Sequence, residues 1–238
     1  MPRHPTPNTR PRDVVASPRR AEVTLLRDAP VFRELDDAQL LAVAAEAQRQ
    51  SYARGELIDV PAGEHLVTIV VAGGIRISLL SQQGRELTLS QHEAGSVVQF
   101  GGIEAALPGE AVAQAICADT VLYFLPCQQF LRLVCINPPA LTALAVVVRK
   151  GMERDVQLIR ELAFSSLRRR LAHLLAELAE PGKEPVVHRT RAELANLLGT
   201  RAEEVTKALR SLMGQGLVEY ASHSRHIVLI DTERLRQY

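Results

Sequence analysis

A chain of 238 residues, 47% hydrophobic and 23% charged, has the apolar content for a packed core and the length for one or two domains. Its 28 Lys+Arg against 27 Asp+Glu leave a net charge of +1, which excludes a uniformly basic nucleic-acid binder but not a basic patch. No apolar run approaches the roughly 18–20 residues of a membrane span, the Arg/Pro-rich start is not a secretory signal, and three widely spaced cysteines make no disulfide framework; a soluble, cytoplasmic protein is expected.

Residues 1–20 hold five Arg, five Pro and a single acid, the composition of a disordered basic tail. Residues 21–137 carry seven basic and fourteen acidic groups, whereas residues 165–238 carry twelve basic and nine acidic. An acidic body with a basic C-terminal module points to two domains with different partners, the basic one suited to phosphate backbones.

From Ala21 the pattern is helical. Asp36 stands ready to cap a helix that carries Leu40, Leu41, Val43 and Ala44 and runs to about Ala47. Short β-rich runs follow: Leu57–Val60, Leu66–Val71, Ile75–Leu80, Leu87–Ser90, Val97–Phe100, Ala111–Ile116 and Val121–Leu125. Glycines punctuate them, and Gln82-Gln83-Gly84 reads as a hairpin turn with Gly supplying a positive φ. Short strands at this turn-punctuated spacing predict an all-β sandwich or barrel for this region.

After the segment Gln128–Ile136 and the Pro138-Pro139 break, Leu141, Leu144, Val148, Met152, Val156 and Ile159 recur at spacings of three and four. This apolar stripe on a long helix, residues 138–164, suits a two-stranded seam between copies of the chain; packing on its own β domain is the other reading. A further amphipathic helix spans residues 165–180, and Pro181-Gly182 ends it.

Residues 188–230 carry the densest pattern. Thr190 and Glu193 form a capping box before Leu194, Ala195, Leu197 and Leu198. Gly199 makes a turn. A second helix from about Ala202 to Met213 puts Val205, Ala208, Leu209 and Leu212 inside and Arg201, Glu203, Glu204, Thr206, Lys207 and Arg210 outside. Leu217–Tyr220 and His226–Ile230 then pair across Ala221–Arg225 as a two-stranded wing. Two short helices, a glycine turn and a polar outward face are the arithmetic of a helix-turn-helix. Lys207 can reach guanine O6/N7 and Glu203 or Glu204 can accept from cytosine N4. Thr190, Arg191, Arg210, His223 and Arg225 suit phosphates, which set register rather than sequence.

With these motifs the chain resembles the Crp/Fnr family of bacterial transcription regulators, the cyclic-AMP receptor protein type, over about residues 25–238. The resemblance rests on Leu162-Ala163-Phe164 with Arg170-Leu171-Ala172, and on Thr190-Arg191-Ala192-Glu193-Leu194-Ala195 through Gly199 to Glu203–Leu209. Gly73-Gly74 with Ile75-Arg76-Ile77, and Gly84-Arg85-Glu86-Leu87, also fit the family's sensor region. It implies an α+β protein: a jelly-roll-like β-roll sensor domain over residues 21–137, a dimerisation helix over 138–164 and a winged helix-turn-helix domain over 165–238. The implied action is that of a homodimer on a palindromic duplex site, its two recognition helices about 34 Å apart, with RNA polymerase as partner.

The implied effector site is degenerate. The family's ribose-holding Gly-Glu pair falls on Gly101-Gly102, with Glu104 as a possible substitute, and its phosphate-holding Arg-Ser pair falls on Glu110-Ala111. A carboxylate there repels a cyclic phosphate and the Arg fork is missing. The purine side would fall near Asp155, which is no purine reader. Cyclic-AMP control is therefore not expected. The action is effector-independent or answers an unknown ligand, and the alternatives are control by a cyclic nucleotide, haem at His65 or His92, or thiol redox at Cys117, Cys127 and Cys135. No cofactor or metal is expected. The recognition helix departs as well, with Arg201-Ala202 and Lys207 where the family often has Arg. An enzyme is not expected: there is no Gly-rich phosphate loop, His-Glu-x-x-His, nucleophile elbow or Cys-x-x-Cys. A β-roll interaction module that binds protein instead of DNA is the remaining rival.

Overall fold

The structure is a computed structural model, and it describes residues 20–58, 66–99, 111–179, 185–220 and 226–238. The chain divides into two compact units. One comprises Met1–Ile75, His92–Ala105 and Gln114–Ala145, and the other comprises Arg76–Gln91, Ala106–Ala113 and Val146–Tyr238.

In the first unit, α1 (Arg20–Arg27) and α2 (Asp37–Glu46) precede the strands. Asp36 caps α2 as the sequence predicts: its side chain accepts from the Gln39 N–H at 2.8 Å, and Gln39 Oε1 accepts from the Asp36 N–H at 3.0 Å. An antiparallel four-stranded sheet has the order β1 (Gln48–Tyr52), β7 (Thr120–Pro126), β2 (Leu66–Ala72), β5 (Val97–Gln99). β2 and β7 sit centrally and are almost wholly buried, including Ile69, Val70, Leu122 and Leu125. A three-stranded sheet, most of whose β3 and β4 residues belong to the second unit, has the order β4 (Glu86–Glu93), β3 (Gly74–Leu80), β6 (Ala111–Ala115). Helix α3 (Cys127–Cys135) buries Phe130 and Val134, and Phe130 meets Phe32 edge-on at 5.9 Å.

One strand was not expected, and one expectation changes. β1, of sequence QRQSY, is an edge strand held by backbone pairing with β7, not by an apolar face; only Tyr52 in it is buried, so no alternation betrays it. The run that begins at Leu57 does not form a strand at its start: Leu57 makes a single bridge to Gln114 and stays exposed, and residues 59 and 60 lie outside the described residues. The Gln82–Gly84 turn forms as expected, with the Gly84 N–H donating to Ser81 O at 2.8 Å and Gly84 at φ 72°.

In the second unit, the β3–β4 hairpin and the later part of α4 (Pro138–Phe164) accompany α5 (Leu167–Leu178), α6 (Arg191–Leu198), α7 (Ala202–Gly214) and α8 (Thr232–Arg236). Its core gathers Leu171, Leu175, Leu194, Leu198, Val205, Leu209, Leu212, Leu217, Ile227 and Leu235. The wing has three strands, not two: β8 (Val186–Val187), β10 (Ile227–Leu229), β9 (Val218–Tyr220). β8 holds two residues, too few for any periodicity, and only its pairing with β10 defines it.

Candidate nucleic-acid interface

Local chemistry sets α6 and α7. Thr190 Oγ1 accepts from the Glu193 N–H at 3.1 Å, and Glu193 Oε2 accepts from the Thr190 N–H at 2.7 Å, closing the capping box. The Thr190 hydroxyl also donates to Glu193 Oε2 at 2.9 Å, so it is committed to the cap. At the other end Gly199 takes the left-handed conformation (φ 63°, ψ 37°), which turns the chain from α6 to Arg201, the N-cap of α7. Arg170 Nη1 donates to Leu198 O at 2.9 Å, holding the last carbonyl of α6. Burial lowers the Arg170 pKa, opposed by the Glu161 carboxylate.

α7 is two-sided. Val205, Ala208, Leu209 and Leu212 are buried, while Arg201, Glu203, Glu204, Lys207 and Arg210 are exposed. Lys207 Nζ donates to Glu204 Oε1 at 2.7 Å, an exposed pair worth a few tenths of a kcal/mol, on the order of 0.3–0.5. Thr206 is half-buried, and its hydroxyl donates back to Ala202 O at 2.8 Å, so it faces its own helix. The Arg191 guanidinium lies 5.5 Å from the Tyr220 ring centroid, with Nε 3.3 Å from the Tyr220 hydroxyl.

A cavity of about 550 Å³ opens between the start of α6 and the wing, lined by His188, Arg189, Thr190, Arg191, Tyr220, His226 and Ile227. Of these, Thr190 and Arg191 stand out in the sequence pattern, whereas Tyr220, His188, His226 and Arg189 do not. The signal was available only through strand register: Val187 pairs with Ile227, which sets His188 beside His226. A second missed contact joins the β3–β4 hairpin to α6. Asn196 Nδ2 donates to Glu86 Oε2 at 2.8 Å, and Arg76 Nη2 lies 3.3 Å from Glu86 Oε1.

The remaining expected positions either are not among the residues that line this cavity or lie outside the described residues. His223 and Arg225 at the wing tip lie outside the described residues, as do Gly101, Gly102, Glu104, Glu110 and His65. Ala111 begins β6, and Asp155 is exposed on α4. Cys117 and Cys135 are exposed thiols and Cys127 is half-buried. Among the described residues no group of three or more His, Cys, Asp or Glu is placed to hold a metal, and no helix is long and apolar enough to cross a membrane.

Residues 169–238, which contain the whole of this interface, match the family described as the Crp-like helix-turn-helix domain. The C-terminal region is a Crp-like helix-turn-helix domain. Relatives extend the likeness over most of the chain. The cyclic AMP receptor protein of Thermus thermophilus is 29% identical over 197 residues, 81% of this chain and 89% of that protein. The CRP-like cAMP-activated global transcriptional regulator of Mycobacterium tuberculosis is 25% identical over 221 residues, 89% of this chain and 96% of that protein. A Crp/Fnr-family transcriptional regulator from Eubacterium rectale shares the fold, with a TM-score of 0.70 at 23% identity over 89% of this chain and 98% of that one. The chain is thus related to the Crp/Fnr-type transcription regulators, and its antiparallel sheet region followed by a Crp-like domain is the α+β arrangement that the sequence implies.

Proposed function

We propose that the protein is a sequence-specific regulator that binds duplex DNA as a homodimer on a palindromic site, acts by binding and not by catalysis, and works with RNA polymerase. The observation that carries this reading is the division of α7 into a buried apolar side and an exposed side of Arg201, Glu203, Glu204, Lys207 and Arg210. Forked and point donors beside carboxylate acceptors are what base edges in a major groove require. Arg189, Arg191 and the neighbouring cavity offer positive charge to the backbone. The homodimer draws support from α4, where Leu141, Val148, Met152, Val156 and Ile159 are exposed along one stripe.

Control is read as independent of cyclic AMP, because Glu110-Ala111 stands where a phosphate-holding Arg-Ser pair would be needed. The names of the relatives favour the opposite reading, nucleotide control. One binding series separates them. Purified protein is titrated with duplexes selected from a random pool, across a salt range, with and without cyclic AMP. The proposal expects a palindromic consensus, affinity that falls steeply with salt, and no response to nucleotide. Absence of salt-dependent duplex binding sinks the DNA-binding reading; binding that needs cyclic AMP sinks only the effector reading.

A further inference from the structure

His188 follows β8 and His226 precedes β10, so the two imidazoles meet side by side across the strands. Their Nδ1 atoms are 3.0 Å apart, the ring centroids 4.2 Å apart and the planes inclined at 66°. A nitrogen–nitrogen contact of that length is a hydrogen bond with one proton in it: one Nδ1 donates and the other offers its lone pair. A second proton on the accepting nitrogen would set two N–H groups against each other and make that ring positive. The contact therefore holds only while the pair is short of that proton.

Both rings also line the cavity of about 550 Å³ at the start of α6. From α6 and the residues before it, Arg189, Arg191 and Thr190 face the same space, and from β9 the Tyr220 ring does. Among the described residues no carboxylate lines it. Glu193, the acid of the capping box, turns its carboxylate to Thr190 and, at 3.7 Å, to Arg189. Glu219 on β9 stands opposite Val228, two positions along β10 from His226. Two guanidiniums thus share this space with the pair.

We propose that His188 and His226 form a proton-linked phosphate clamp: a DNA backbone phosphate entering this cavity draws a second proton onto the pair, the rings part, and both Nδ1–H groups become free to donate to phosphate oxygens. The inference rests on the DNA-binding reading above and adds a regulation to it. The step balances as a proton taken from solvent, with no bond other than hydrogen bonds formed or broken. The sign follows from linkage. Phosphate favours the doubly protonated pair, so duplex affinity rises as pH falls, and duplex binding takes up protons by the same coupling.

The test uses the full chain and a mixed-sequence duplex, because a backbone contact does not read bases. Affinity is measured at constant ionic strength between about pH 5 and 8, for the wild type, His188→Gln and His226→Gln, with folding of each checked by circular dichroism. The wild type is expected to tighten by up to about tenfold per pH unit for each linked proton, hence by up to about 100-fold for a dimer that takes up one per subunit, and both variants to lose that slope. Calorimetry in buffers of different ionisation heat should register proton uptake in the wild type and not in the variants. A slope shared by the wild type and both variants, or wild-type binding heats independent of buffer, overturns the clamp while leaving the DNA-binding reading intact. No duplex binding at any pH overturns both.

Discussion

The Leu87 side chain lies against Gly199, close enough that a Cβ on Gly199 would stand 2.8 Å from Leu87 Cδ1. Gly199 is the residue that turns α6 toward α7, and Leu87 belongs to the β3–β4 hairpin. The turn thus meets two demands at once, a positive φ and the absence of a side chain.

Gly199→Ala is expected to destabilise the protein by about 1–2 kcal/mol from the left-handed backbone alone, plus the cost of displacing Leu87. Urea denaturation of Gly199→Ala in wild-type and Leu87→Ala backgrounds separates the two contributions. The backbone part should survive in the double variant and the steric part should vanish. Equal losses in the two backgrounds would mean that the Leu87 contact costs nothing to shift.

Thr190→Ala removes the cap of α6 and leaves the Glu193 N–H without its acceptor. A loss of about 1 kcal/mol is expected, within the range for N-cap replacements. Thr190→Ser should retain most of the stability. A denaturation midpoint unchanged in Thr190→Ala would count against the cap as an energetic feature.

Glu177 on α5 has its pKa raised, first by burial, then by Glu161, with His173 acting in the opposite direction. A carboxyl that holds its proton more tightly in the folded than in the unfolded chain contributes stability that is complete below the ordinary glutamate value of about 4.3 and is lost as pH rises through the raised value. Glu177→Gln should therefore be more stable than the wild type near neutral pH, and the difference should shrink toward about pH 4. Urea midpoints at the two pH values measure it; a difference independent of pH would refute this origin.

Val156 is 57% exposed and Ile159 is 64% exposed in the single chain. If a second copy covers them, Val156→Glu or Ile159→Glu places a charge in an apolar seam. Sedimentation should then report about the 26.1 kDa of one chain. Duplex affinity should fall on the order of 100-fold as the second half-site contact becomes independent. Unchanged sedimentation would remove this face from the dimer.

How far the sequence could be read depends on the reach of each contact. The capping box spans three residues, and the inward side of α7 repeats at helical spacing, so Thr190, Glu193, Val205, Ala208, Leu209 and Leu212 stand in the structure as their pattern predicts. β1 was hidden because its sequence QRQSY has no apolar face to alternate. β8 was hidden because two residues have no period. Thr206 carries the right chemistry for the outer face, yet its hydroxyl is spent on Ala202 O.

By itself, then, the amino-acid order determined the elements whose stabilising contacts close within a turn or two: the caps, the glycine bend, the amphipathic helices and the family likeness that they carry. Folding decided the pairs that lie far apart along the chain. Glu86 meets Asn196 across 110 residues, His188 meets His226 across 38, and Arg191 meets Tyr220 across 29. Such contacts depend on strand register and on how an element packs, and both are set by the burial of a whole core, so no local spacing encodes them.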